Sequence, residues 1–183
     1  MNEGEKMSIK SLASSQDISA QITKVVLGVF ALAALAQIKF YLPLSPVPVT
    51  GQTFGVALLS LILGRKLAVG SVASYIALGF AGLPIFAGFQ VGLMGPTVGY
   101  LAGMLLASFV VGGLSDRGFN QSFSKALTAT YAGSACVFTF GLLGLSFFVP
   151  TKELLVLGLF PFLAGDLVKN LVAATIVTKF FKS

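Results

Sequence analysis

Residues 67–115 carry no charged side chain, and residues 154–178 carry only Asp166 and Lys169. Runs of this kind are hard to place in a water-soluble domain, which must clothe its core in polar groups. They suit a bilayer, whose hydrocarbon core is crossed by helices of about 20 apolar residues. The whole chain agrees: 10% of its 183 residues are charged, against roughly 25% in ordinary soluble domains. The mean hydropathy is +0.94 and 17 residues are Phe. The class this implies is a polytopic membrane protein.

The same inventory excludes several chemistries. With no His and with Cys136 as its one thiol, the chain has no residues for a His or Cys metal site, a His-based catalytic triad or an internal disulfide. No GxxxxGK[ST] nucleotide loop occurs, so any ATP hydrolysis must take place in another chain. No resident cofactor is expected.

Apolar runs predict six spans, at residues 22–42, 50–63, 67–81, 97–113, 125–149 and 154–177. They form one membrane domain over residues 22–183, preceded by a polar segment, residues 1–21. Gly82-Leu83-Pro84 and Gly95-Pro96 divide the uncharged stretch, because Gly and Pro mark turns. With a cytoplasmic N-terminus, nine basic residues lie inside: Lys6, Lys10, Lys24, Arg65, Lys66, Arg117, Lys125, Lys179 and Lys182. Only Lys39 and Lys152 lie outside. This asymmetry is what the positive-inside rule demands, and it places both termini in the cytoplasm. It also accounts for the net charge of +6 without nucleic acid. An alternative reads Lys24, residues 25–33 and Ala34-Leu35-Ala36 as a secretory signal with its cleavage motif. Against it, the preceding polar stretch is long for such a signal and contains Glu3, Glu5 and Asp17.

The two charges in the last span mark the candidate site. Each costs about 2.5 to 3.5 kcal/mol at the centre of an inserted helix, so intramembrane charges are by default functional. At i and i+3, Asp166 and Lys169 share a helix face. Pro161 either kinks this helix or begins its regular part; in the second case Asp166 lies about 8 Å from the outer end. The alternative is a structural Asp-Lys pair that neutralises itself.

Two uncharged outer connections flank this position. Residues 43–52 hold three prolines, which favour a stiff extended path. Residues 79–99 hold six glycines with Phe86, Phe89 and Gln90, a composition that suits a lid or a re-entrant segment. Small residues at Gly51/Gly55, Gly99/Gly103 and Gly28, Ala31, Ala34 permit close helix packing, inside the bundle or against a partner.

Four ordered motifs carry a resemblance. Pro46-Val-Pro-Val-Thr-Gly-Gln-Thr-Phe54, Gly82-Leu-Pro-Ile-Phe-Ala87, Gly95-Pro-Thr-Val-Gly-Tyr100 and Pro161-Phe-Leu-Ala-Gly-Asp-Leu-Val-Lys169 resemble the successive signatures of the BioY family. These are the biotin-specific S components of energy-coupling factor (ECF) transporters. The resemblance implies an all-α bundle of six transmembrane helices in a prokaryotic plasma membrane. It implies capture of biotin from outside, docking onto a transmembrane T subunit with two ATPases, and release inside.

Biotin suits the residues. A carboxylate at Asp166 accepts from the ureido N–H groups and an ammonium at Lys169 donates to the ureido carbonyl. Phe86, Phe54 and Phe89 are candidate walls for the ring and valeryl chain, and Tyr100 supplies a ring and a hydroxyl. For the ligand carboxylate, Gln52, Gln90, lid backbone N–H groups and Lys169 remain open alternatives. The family's Ala-x-x-x-Ala docking pattern is absent from the first helix, where Gly28, Ala31 and Ala34 are the candidate contacts. Another vitamin as cargo is the alternative within this fold. An enzyme using the Asp-Lys dyad on a small amphiphile is the alternative outside it.

Overall fold

The computed structural model describes the backbone of residues 3–42, 45–92 and 95–181, with side chains from Asp17 onward. It is built almost wholly of helices: α1 (Glu3–Gln37), α2 (Gln52–Phe80), α3 (Val98–Ser115), α4 (Phe123–Leu145), α5 (Leu154–Gly158) and α6 (Phe160–Phe181). A two-stranded antiparallel ribbon, β1 (Lys39–Phe40) with β2 (Val49–Thr50), links α1 to α2. By length and apolarity, five of the described helical segments are able to cross a bilayer.

The expected spans at 50–63 and 67–81 are both contained in α2. Its regularity breaks at Gly64, where φ is 72° and ψ is 179°, a conformation that side-chain-bearing residues rarely adopt. A straight helix would hold Gln52 and Tyr75 about 34 Å apart. Instead, Gln52 Nε2 donates to the Tyr75 hydroxyl at 2.8 Å, so the chain reverses at Gly64 and its two arms lie side by side. The reversal leaves Leu61 O and Arg65 N without each other as helical partners. Arg65 N donates to both Asp116 carboxylate oxygens at 3.3 Å. Leu61 O accepts from Ser115 Oγ at 2.7 Å and from Asn120 Nδ2 at 3.2 Å. In a lipid environment such substitutions matter, because no water is at hand to satisfy stranded backbone groups.

Two expected boundaries shift. The first helix ends at Gln37 rather than at residue 42, because the chain enters the ribbon: Gly51 N donates to Ile38 O at 3.0 Å. Pro43 and Leu44 of the proline-rich connection lie outside the described residues. The last span is divided at Leu159 (φ −127°, ψ −64°), and Pro161 falls in the first turn of α6, where its missing N–H costs nothing. The reading in which Pro161 begins the helix therefore holds.

The glycines of the small-residue stripes pack inside the bundle. A Cβ at Gly103 of α3 would meet Val137 Cα of α4 at 2.7 Å, and one at Gly144 would meet Gly99 Cα at the same distance. Gly55 packs on Leu35 and Leu32 of α1, and Gly28 of α1 packs on Ser71. Phe30, Phe109 and Phe147 face outward, as lipid-facing residues do. One end of the bundle gathers the Gly64 reversal and the α3–α4 connection; the opposite end gathers the ribbon, residues 81–92 and the α4–α5 connection.

Candidate binding site

At that second end a cavity of about 340 Å³ opens between the ribbon, the first arm of α2, α3, α4 and α6. Such a volume lies in the range of small-molecule pockets, about 300–1,000 Å³. Its polar floor comes from α6, where a helical turn sets Asp166, Lys169 and Asn170 on one face. Ser134 Oγ of α4 donates to Asp166 Oδ1 at 2.8 Å, and Asn170 Nδ2 donates to Asp166 Oδ2 at 2.8 Å. Asn170 Nδ2 also lies 2.9 Å from Ser134 Oγ, closing a three-residue network. The carboxylate is thereby fixed in orientation and keeps acceptor capacity toward the cavity, since two oxygens offer about four lone-pair sites.

Lys169 is held separately. Its Nζ donates to Thr50 O at 2.7 Å and to Thr53 Oγ1 at 3.1 Å. Among the described residues no direct hydrogen bond or ion pair joins it to Asp166; each charge is anchored to other groups. An ammonium has three donors, and two are used here. The site thus presents an anchored acceptor and an anchored donor side by side, lined by apolar and aromatic walls that include Val56, Met104, Phe138 and Phe162.

Of the residues singled out in the sequence, Asp166, Lys169, Tyr100, Gln52 and Gln90 line the cavity. Tyr100 is tied at its edge, with its hydroxyl donating to Gly158 O at 2.7 Å and its ring 6.3 Å from that of Phe162. Gln52 is already engaged: its Oε1 accepts from Thr50 Oγ1 at 2.8 Å while its amide serves Tyr75. Phe86, Phe54 and Phe89 are not among the lining residues. Phe86 is fully buried beneath the connection, edge-on to Tyr75 and Phe80, and Phe89 is exposed with φ 59°. Aromatic composition identified these segments without saying which rings turn inward.

The glycine-rich connection is not a free flap. Gln37 Oε1 accepts from Gly88 N at 3.1 Å and Phe89 N at 3.2 Å, while its Nε2 donates to Phe86 O at 3.2 Å. Ser134, Asn170, Thr53, Phe138 and Phe162 were missed. Asn170 and Phe162 had a local signal, each four positions from Asp166 on the same helix, and Thr53 lies inside a quoted motif; Ser134 and Phe138 arrive from α4.

The BioY family model matches residues 6–183. The chain belongs to the BioY family. The biotin transporter BioY of Thermotoga maritima is 38% identical over 159 residues, which cover 85% of this BioY-family chain and 93% of the relative. Biotin transporter BioY2 of Lactococcus lactis is 34% identical, with 81% and 82% covered. The crystal structure of the S-component for biotin from an ECF-type ABC transporter superposes with a TM-score of 0.82 at 26% identity, covering 92% of this chain and 94% of that one. The membrane-protein class and the S-component fold are those of the family.

Proposed function

We propose that this chain is the biotin-binding S component of an ECF transporter in a prokaryotic plasma membrane. It captures biotin from outside and passes it to the cytoplasm without chemical change. The observation that carries this reading is the adjacent, separately anchored Asp166 acceptor and Lys169 donor at the polar floor of the cavity. A urea ring has N–H donors and a carbonyl acceptor on one small rigid frame, the complement of that pair. The aromatic and aliphatic walls suit the thiophane ring and valeryl chain.

The two arms of α2, counted separately, support a six-helix bundle, and the distribution of Lys and Arg supports cytoplasmic termini. ATP is hydrolysed by two ATPase subunits of a partner module, reached through its transmembrane T subunit. Of the small residues on α1, Ala34 is exposed and Ala31 half-buried, so these two, rather than Gly28, are open to that subunit.

The test is a thermal-shift series on the purified chain with biotin, thiamine and riboflavin. A specific ligand raises apparent stability as RT ln(1 + [L]/Kd). Stabilisation by biotin alone supports the reading; stabilisation by another vitamin alone replaces the cargo. Co-purification of a tagged chain with a T subunit and ATPases tests the partners.

A further inference from the structure

The charges lining the cavity cancel: Asp166 is negative and Lys169 positive. A ligand that brings its own carboxylate into an apolar cavity needs another cation, because an unpaired buried charge is costly. We infer that Lys39, with the Tyr41 hydroxyl, forms the subsite at the cavity mouth that binds the carboxylate end of the ligand. This rests on the proposed function and deepens it.

Ribbon geometry places Lys39 there. Lys39 of β1 is the register partner of Thr50 of β2. Directly paired residues of an antiparallel ribbon project from the same face, and so do residues two apart along a strand. Lys39 and Thr50 therefore share one face; Thr50 and Tyr41, just past the end of β1, line the cavity, and Lys39, itself outside that lining, reaches its edge through the Tyr41 hydroxyl. Lys39 Nζ donates to the Tyr41 hydroxyl at 3.1 Å and stands 5.0 Å from the centroid of its ring.

From the other side of the mouth comes the glycine-rich connection. A Cβ built on Gly88 would strike Lys39 Nζ, so the ammonium lies where the ribbon and that connection meet. Thr50 stands between the two cations, with its carbonyl taken by Lys169 and its cross-strand neighbour being Lys39. A ligand whose polar ring sits on Asp166 and Lys169 extends toward this mouth with its far end. There an ammonium with one donor committed to Tyr41 has two left for a carboxylate. Unlike Lys169, it has no acidic group around it in the cavity lining to compete.

The experiment compares biotin with its neutral carboxamide in equilibrium dialysis against the full-length purified chain. A charge-assisted contact of this type corresponds to about a 10- to 100-fold preference for the acid. In Lys39→Gln that preference collapses through loss of biotin affinity, while carboxamide affinity stays within about threefold of the unsubstituted chain. Lys39→Arg keeps a preference for the acid. If Lys39→Gln retains the acid-to-amide ratio, or loses both ligands equally, the assignment is overturned. Failure of the unsubstituted chain to bind either ligand sinks the biotin reading itself and is thereby distinguished.

Discussion

Asp166 and Lys169 are three residues apart on α6, yet each is held by a different partner element: Asp166 by Ser134 of α4 and Lys169 by Thr50 and Thr53 beside the ribbon. The separation keeps opposite charges from collapsing onto each other and leaves both lining the cavity. Protein groups compensate each charge, so the site is preorganised at the expense of burying it.

Removing either charge is expected to weaken binding strongly. Asp166→Asn removes an ionic acceptor and Lys169→Ala a donor, each a charge-assisted contact of about 1.5–3 kcal/mol. At least a 10-fold rise in the biotin Kd is expected for each, read by dialysis with labelled ligand. Undiminished affinity in both variants would remove the floor of the cavity from the binding site.

Ser134→Ala tests orientation rather than contact charge. It deletes one donor to Asp166 and the neighbour of Asn170, leaving the carboxylate freer to rotate. About a 3- to 30-fold loss of biotin affinity is expected, on the scale of one hydrogen bond to a charged group. Thr175→Ala is the control, because Thr175 is exposed and bonds only to its own helix at Leu171 O. Equal affinities in the two variants would show that the network does not position Asp166.

The reversal in α2 makes a stability prediction. Gly64→Ala forces a side chain into φ 72° and against the Asp116 carboxylate, and such backbone strain costs about 1–3 kcal/mol. Asp116→Ala removes the acceptor of Arg65 N and is expected to cost about 1 kcal/mol, as loss of a helix cap does. Thermal unfolding in detergent should rank the chain above Asp116→Ala and Asp116→Ala above Gly64→Ala. A Gly64→Ala variant as stable as the parent would contradict the observed backbone.

Gln37 latches the glycine-rich connection to α1 through three backbone groups. In Gln37→Ala, the amides of Gly88 and Phe89 should exchange with deuterium at least about 10-fold faster, because each loses a bond worth roughly 1 kcal/mol or more. The amide of Ala81, bonded within α2 to Ala77 O, should not change. Unaltered exchange at Gly88 and Phe89 would mean that Phe86, packed beneath them, anchors the segment without the glutamine.

Much of this was legible in the chain. Long uncharged runs announced membrane helices, since lipid tolerates few alternatives. Asp166 and Lys169 stood out because a charge in such a run is expensive enough to need a reason. The cavity walls were less legible. Phe86 and Phe89 sit in the expected neighbourhood, but a ring on an irregular segment has no helical period to say which way it turns, and Phe86 packs into the core instead; Phe54, in the first turn of α2, is also not among the lining residues. Gln37 belongs to an apolar helix end and its partners in the glycine-rich connection lie about 50 residues away.

The sequence by itself determined the membrane class, the approximate positions of the apolar helical segments and the residues too costly to be incidental, because these follow from local apolarity, Pro and Gly chemistry, and the scarcity of charge. Only the tertiary structure decided that α2 doubles back at Gly64, that Ser134 and Thr53 hold the two site charges, and that the glycines of the small-residue stripes are spent on internal packing. Each depends on groups brought together from distant parts of the chain, and hydrogen bonds and close helix approaches of that kind leave no periodicity in the sequence to read.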